Sequence, residues 1–275
     1  TILNVMIRIR EAAVAGSFYP ADPGELQSVV HRLLDAVPGP FGPAPSALIV
    51  PHAGYVYSGP VAASAYARLR AHRERYRRVL LLGPCHSVAV RGLAASSAEA
   101  FRTPLGDVPL DHAAAASLRH PAVSVIDAAH RSEHSLEVQL PFLQTVLEAF
   151  ELLPLVVGDA SAQDVAEVID RLWSGPETLV VISSDLSHYL VYEEARRLDQ
   201  GTCRAIEQLE AAKIEHSQAC GATPLRGLLI AARKRGLRCV TLDLRNSGDT
   251  SGNKGRVVGY GAWMFVEEAA CEQAA

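Results

Sequence analysis

Thr178-Leu179-Val180-Val181-Ile182-Ser183-Ser184-Asp185-Leu186-Ser187-His188 sets a β-prone apolar run directly before a polar cluster that ends in histidine. A short unbroken apolar run suits a strand covered on both faces. The same order recurs upstream. Ala47-Leu48-Ile49-Val50 leads into Pro51-His52, and Val79-Leu80-Leu81-Leu82 leads into Gly83-Pro84-Cys85-His86. Leu152–Val157, Cys239–Leu242 and Val257–Gly261 read as further strands. Helical patterns fall between them, at Pro23–Ala36, Pro60–Leu69, Asp111–Leu118, Leu136–Phe150, Ala162–Trp173, Glu193–Leu209 and Pro224–Arg235. This alternation predicts an α/β fold, a mostly parallel central sheet with helices on both faces. One domain is expected over residues 1–275. The Pro- and Gly-rich segment from Val37 to Pro45 predicts a surface loop, and the chain is expected to fray from Glu267 on.

Composition narrows the function. The chain has 275 residues, 49% of them hydrophobic, enough for a large core. A net charge of -4 gives no reason to expect nucleic acid or an anionic membrane as partner. The basic run Arg68, Arg70, His72, Arg73, Arg75, Arg77 and Arg78 reads as a helix end before a strand, where positive charge suits the helix dipole. Five cysteines, Cys85, Cys203, Cys220, Cys239 and Cys271, are widely spaced with no CxxC pair, which excludes a zinc ribbon or thioredoxin-like motif. A reducing compartment is expected. No signal-peptide pattern and no run of membrane-spanning length stand in the sequence, so a cytoplasmic, soluble protein is expected.

The chemistry gathers at strand ends. In an open α/β sheet the carboxyl ends of the strands form the rim where ligands bind. His52, His86 and His188 each follow a separate strand, and three histidines in equivalent places favour a site over three structural residues. Imidazole is the commonest ligand for iron, zinc and copper. Asp185 stands three before His188, as ligand, base or orienting partner, or simply as the N-cap of the next helix. In Ser132-Glu133-His134-Ser135-Leu136-Glu137, Glu137 suits a capping box while His134 suits an acid/base or substrate contact. The turn-rich Arg245-Asn246-Ser247-Gly248-Asp249-Thr250-Ser251-Gly252 offers Asp249 as an oxygen ligand. It is not a Walker A loop, because its glycines are too close together. Two imidazoles, one carboxylate and open positions would match the non-haem iron(II) pattern. Cys85 beside His86 is a weaker candidate nucleophile, without a hydrolase signature around it. Cys220 reads as a small buried hydrophobe.

Taken in order, these motifs resemble the Memo family, named for a mediator of cell motility. The matching residues run from Arg10-Glu11-Ala12 and Ala15-Gly16-Ser17-Phe18-Tyr19 through Pro51-His52-Ala53-Gly54-Tyr55 and Leu82-Gly83-Pro84-Cys85-His86. Arg102-Thr103-Pro104-Leu105-Gly106, Glu133-His134-Ser135-Leu136-Glu137, the segment from Val181 to His188, Ala219-Cys220-Gly221 and Asn246-Ser247-Gly248-Asp249 follow. The resemblance implies a fold similar to the catalytic subunit of class III extradiol dioxygenases. Two His and a Glu hold iron(II) there, and a further His serves as acid/base. It assigns His52 and His86 as metal ligands and His188, with Asp185 beside it, to the acid/base position. The third ligand departs from the pattern. Thr250 is the direct counterpart of the family position, and Asp249 is the better ligand chemically. Iron(II) is the expected metal, ahead of copper or zinc. The resemblance further implies a small molecule or peptide as ligand. For prokaryotic members it implies a place beside AMMECR-type and radical-SAM proteins. A metal-dependent oxidoreductase, a non-catalytic metal or redox protein and a peptide-binding groove are the competing functions.

Overall fold

A computed structural model of the chain describes residues 8–267. Residues 1–7 and 268–275, with Cys271 and most of the tail expected to fray, lie outside them. In chain order the elements are β1 (Ile9–Arg10), α1 (Pro23–Asp35), β2 (Ala47–Val50), α2 (Tyr55–Tyr66), β3 (Arg78–Pro84), β4 (Leu93–Ala95), β5 (Ala100–Thr103) and β6 (Gly106–Pro109). Then come α3 (His112–Ser117), β7 (Val123–Val125), α4 (Asp127–Arg131), α5 (Leu140–Val146), β8 (Glu151–Val157), α6 (Ala162–Leu172) and β9 (Thr178–Ser183). The chain ends with β10 (His188–Leu190), α7 (Tyr192–Glu207), α8 (Ala222–Lys234), β11 (Leu237–Asn246), α9 (Ser247–Ser251) and β12 (Val257–Glu267).

The central sheet runs β10-β12-β2-β9-β3-β8-β4-β7, with β11 on β12. Its middle, β2-β9-β3-β8, is parallel, as the apolar runs predict. The sheet is mixed outside that middle: β12 joins β2 antiparallel, β11 and β10 join β12 antiparallel, and β4 joins β8 antiparallel. Strands β11 and β12 can pair this way because only the short α9 segment separates them, and a parallel pairing needs a longer crossover. A second, three-stranded sheet holds β1-β5-β6.

Alternation along the central strands divides the core. Leu48, Val50, Val79 and Leu81 face α1, α2 and α5, while Ala47, Ile49, Leu80 and Leu82 face α6, α7 and α8. Each buried Val, Leu or Ile side chain of this kind contributes roughly 1.5–3 kcal/mol. The helices start where their caps say. Asp22 accepts from Glu25 N ahead of Pro23, and Ser161 with Asp164 forms a capping box ahead of α6.

Two helices differ from their sequence patterns. α2 begins at Tyr55, five residues before Pro60, which sits inside the helix. The expected Leu136–Phe150 helix is instead a 3₁₀ turn at Glu137–Gln139 followed by the short α5. The basic run follows α2 as a 3₁₀ turn, Ala67–His72, and its Arg70 and Arg78 pair with Asp35 and Asp111. No helix among the described residues is long and apolar enough to cross a membrane.

Candidate metal centre

Strands β2, β9 and β3 are neighbours, and all three point their carboxyl ends the same way. His52 leaves β2 and His86 leaves β3, on either side of β9. Their rings meet at 5.2 Å between centroids, edge to face. His134 comes from the segment after α4 and stacks on His86 at 4.6 Å, with its centroid 5.4 Å from that of His52. One ring nitrogen from each of the three lies within 4.8 Å of the others, a group able to hold a metal ion. His52 is buried, His134 is partly buried and His86 is exposed at the mouth.

Hydrogen bonding decides which nitrogens are free. Ser183 Oγ has one proton, and it donates it to Ser135 O at 2.6 Å. The same oxygen accepts from Gln139 Nε2, whose amide is oriented by Tyr66 Oη on its oxygen and Pro51 O on its nitrogen. His52 Nδ1, 2.9 Å from Ser183 Oγ, must therefore be the donor. That leaves a lone pair on His52 Nε2. His86 Nδ1 lies 2.9 Å from Glu133 Oε1, and a carboxylate only accepts, so Nδ1 carries the proton of that bond and Nε2 is the nitrogen left to face a metal. A carboxylate behind a ligating imidazole fixes its ring and raises its basicity.

Electrostatics disfavour the charged form of His52 and His134. Burial lowers the pKa of His52 well below its ordinary value, and the neighbouring His86 and His134 push the same way. Burial also lowers that of His134. Burial pushes the Glu133 carboxyl up, but hydrogen bonds from the His86 ring, His86 N and Ser135 N outweigh it and hold the pKa at about 2. Imidazoles oriented from behind, His52 by the Ser183 hydroxyl and His86 by the Glu133 carboxylate, are the donor set a divalent transition metal takes, so the residues fit such an ion.

The other expected site residues fall into two groups. Asp185 is buried at the site, where its Oδ1 accepts from His52 N at 2.7 Å and its Oδ2 is 4.0 Å from His52 Nε2. It does not cap a helix, since the next one, α7, starts at Tyr192. Burial raises its carboxyl pKa. His188 is exposed and opens β10, ahead of Tyr189, a non-glycine residue at φ 60°. Asp249 and Thr250 do not belong to the three-histidine group. Asp249 instead closes a capping box on α9, accepting from Asn246 N at 3.0 Å and from Tyr192 Oη at 2.5 Å. Thr250 Oγ1 donates to Ser247 O at 3.4 Å. The Asn246-to-Asp249 spacing is itself a capping signal, which explains why the carboxylate is held in its own loop.

Four residues carry parts that their sequence context hid. Glu133 and Ser183 orient the His86 and His52 rings. Glu137, expected as a helix cap, instead anchors the N-terminal segment. It accepts from Ala13 N, Val14 N, Tyr19 Oη and the Arg10 guanidinium. Cys220, expected as inert filling, puts its Sγ 3.2 Å from His52 Nε2. Cys85, the weaker candidate nucleophile, donates to Val88 O. The described cysteines are all free.

The Memo-like protein family matches residues 10–264. A MEMO1 family protein of Aquifex aeolicus is 37% identical over 276 residues, covering 94% of this chain and all of the relative. MEMO1 family proteins of Methanopyrus kandleri and Aeropyrum pernix are 36% and 38% identical, each covering 93% of this chain, and 98% and 99% of their own lengths. Among solved structures, an uncharacterized protein from Escherichia coli K12 superposes with a TM-score of 0.54 at 12% identity, over 79% of this chain and 98% of that one. That likeness is one of fold alone.

Proposed function

The chain belongs to the Memo family, and from that premise we propose a mononuclear metal protein, an oxidoreductase of the non-haem iron(II), dioxygenase-like type. One observation carries the reading: three ring nitrogens within 4.8 Å of one another, with two of the rings locked from behind by Ser183 and Glu133. Neutral imidazole suits iron, copper and zinc alike. Iron(II) takes precedence because the motif resemblance carries the expectation of a dioxygenase-like architecture.

A bound redox-active ion would supply Lewis acidity and one-electron chemistry in its open positions. The chain does the rest. His52 and His86 offer Nε2 while their Nδ1 protons stay committed, and His134 is the third donor. Asp185, buried beside His52, and His188, at the rim, are the groups that take or deliver a proton at the incoming ligand.

Anaerobic loading with iron(II), followed by elemental analysis and oxygen uptake with a catechol, tests this. One iron per chain, lost in His52→Ala, is expected. Failure to bind iron, copper or zinc in stoichiometric amount overturns the reading.

A second reading has its own support. Six large hydrophobic side chains stand exposed among the described residues, and five follow site histidines closely: Val56, Tyr57, Val88, Tyr189 and Val191. An apolar rim of this kind suits a groove for a peptide or a protein partner, for which AMMECR-type and radical-SAM proteins are the family's candidates. Peptide capture retained by a His52→Ala, His86→Ala double variant would favour a groove that works without metal.

A further inference from the structure

We propose that Cys220 is a fourth protein ligand of this centre, a thiolate added to the three imidazoles. The inference rests on the metal-centre reading above. Cys220 Sγ has one short polar contact, 3.2 Å to His52 Nε2, and that is the nitrogen whose lone pair the Ser183 network leaves free. Its other hydrogen-bond partners are more distant, Asp185 O at 3.7 Å and Ser184 Oγ at 3.9 Å. Zinc-type bonds of about 2.0–2.1 Å to nitrogen and about 2.3 Å to sulfur put two such ligands roughly 3.6 Å apart around one tetrahedral ion. The observed pair already stands near that separation.

The backbone holds the thiol at the site. Cys220 N donates to Asp185 O at 3.3 Å, and Gly221 N donates to Ser184 Oγ at 3.0 Å. A Cβ on Gly221 would come within 2.7 Å of Ser184 Cβ, so the 220–221 backbone sits hard against the end of β9. The sulfur lies outside the three-nitrogen group, so binding an ion shared with His86 and His134 requires the thiol to shift towards those rings. On binding, the S–H bond breaks, an S–metal bond forms and the proton leaves to solvent, with no change of oxidation state. A thiolate brings negative charge to an otherwise neutral donor set and shifts its preference towards soft metals.

Cobalt(II) is the probe, added anaerobically to the reduced full chain. The wild type is expected to show ligand-field bands at one equivalent together with a near-ultraviolet sulfur-to-cobalt charge-transfer band. Cys220→Ser should keep the ligand-field bands, lose the charge-transfer band and bind cobalt at least about tenfold more weakly, the lower end of what losing an outer partner costs. Cys85→Ser, at the neighbouring free thiol, should leave both sets unchanged. Ligand-field bands without charge transfer in the wild type, or charge transfer lost in Cys85→Ser instead, overturn the assignment and leave the three-histidine centre standing. No cobalt binding at all overturns both.

Discussion

Glu133→Gln isolates the contribution of the carboxylate behind His86. In the wild type Oε1 accepts from His86 Nδ1 at 2.9 Å and Ser135 N at 2.9 Å, and Oε2 accepts from His86 N at 2.6 Å. An amide has one acceptor oxygen, so its NH₂ must face a donor whichever way it is turned. Turned towards Oε2, it opposes the His86 backbone N–H and loses a charge-assisted bond worth roughly 1.5–3 kcal/mol. Turned towards Oε1, it donates to His86 Nδ1 and drives the ring proton onto Nε2, the nitrogen a metal needs. Either way the lone pair is less available or the ring less fixed. Loss of such a partner weakens metal binding about 10–100-fold, or roughly 1.4–2.8 kcal/mol. Competition of cobalt(II) or zinc(II) against a chromophoric chelator reads the change directly. An affinity within about twofold of the wild type, in a variant with unchanged circular dichroism, would refute the claim that Glu133 prepares His86.

Three further outcomes follow from the same contacts. Ser183→Ala removes the acceptor for His52 Nδ1 and a partner of Gln139, so the same competition titration should show about tenfold weaker binding, close to the lower Glu133→Gln value. Glu137→Ala leaves the Arg10 guanidinium buried without its carboxylate, a loss of about 3–5 kcal/mol that should lower the melting temperature by roughly 10 °C in calorimetry. Asp199, buried and bonded to Ser187 N and Oγ, has its carboxyl raised by burial from 3.8 to about 6. The folded state therefore holds that proton longer than the unfolded chain, and stability is greatest below pH 4 for this group. It falls by on the order of 3 kcal/mol as pH rises through 6. Denaturant titrations from pH 4 to 7 should show that slope in the wild type and a flatter one in Asp199→Asn; equal slopes would refute it.

Local patterns reached most of the fold because they record burial. The unbroken runs at 47–50, 79–82 and 178–182 are strands with both faces covered, and the helices at 162–173 and 224–235 fall within two residues of their patterns. The short strands β4, β7 and β10 have three residues each, too few for a period to register. The antiparallel partners were also hidden, because an apolar run says that a strand is covered, not which way its neighbour runs. The same limit governs the site. Asp249 looked like a ligand because it follows a strand, yet its carboxylate satisfies its own loop. Cys220 carried no local signal, and its contact with His52 spans 168 positions.

Strand order is what turns scattered histidines into a centre. In a parallel sheet adjacent strands stand about 4.8 Å apart, so the ends of β2 and β3, with β9 between them, are separated by roughly 10 Å. The His52 and His86 ring centroids are 5.2 Å apart, so both side chains lean inwards over the end of β9. That lean requires something small and polar beneath it. β9 ends in Ser183-Ser184, and Ser183 Oγ lies under His52 as an acceptor rather than as an obstacle. The chain then turns at Asp185, whose carboxylate takes the backbone N–H of His52. A bulky apolar residue at 183 would crowd the His52 ring and remove the acceptor of its Nδ1, even though it would extend the apolar run of β9. The polar break after Ile182 is therefore the place where the strand gives up core packing to the site. A Ser183→Val variant, broader than serine by one γ-carbon and unable to accept, should fold with its strand intact and lose metal binding more completely than Ser183→Ala. Equal affinities for the two variants would show that the space above β9 is not what brings the imidazoles together.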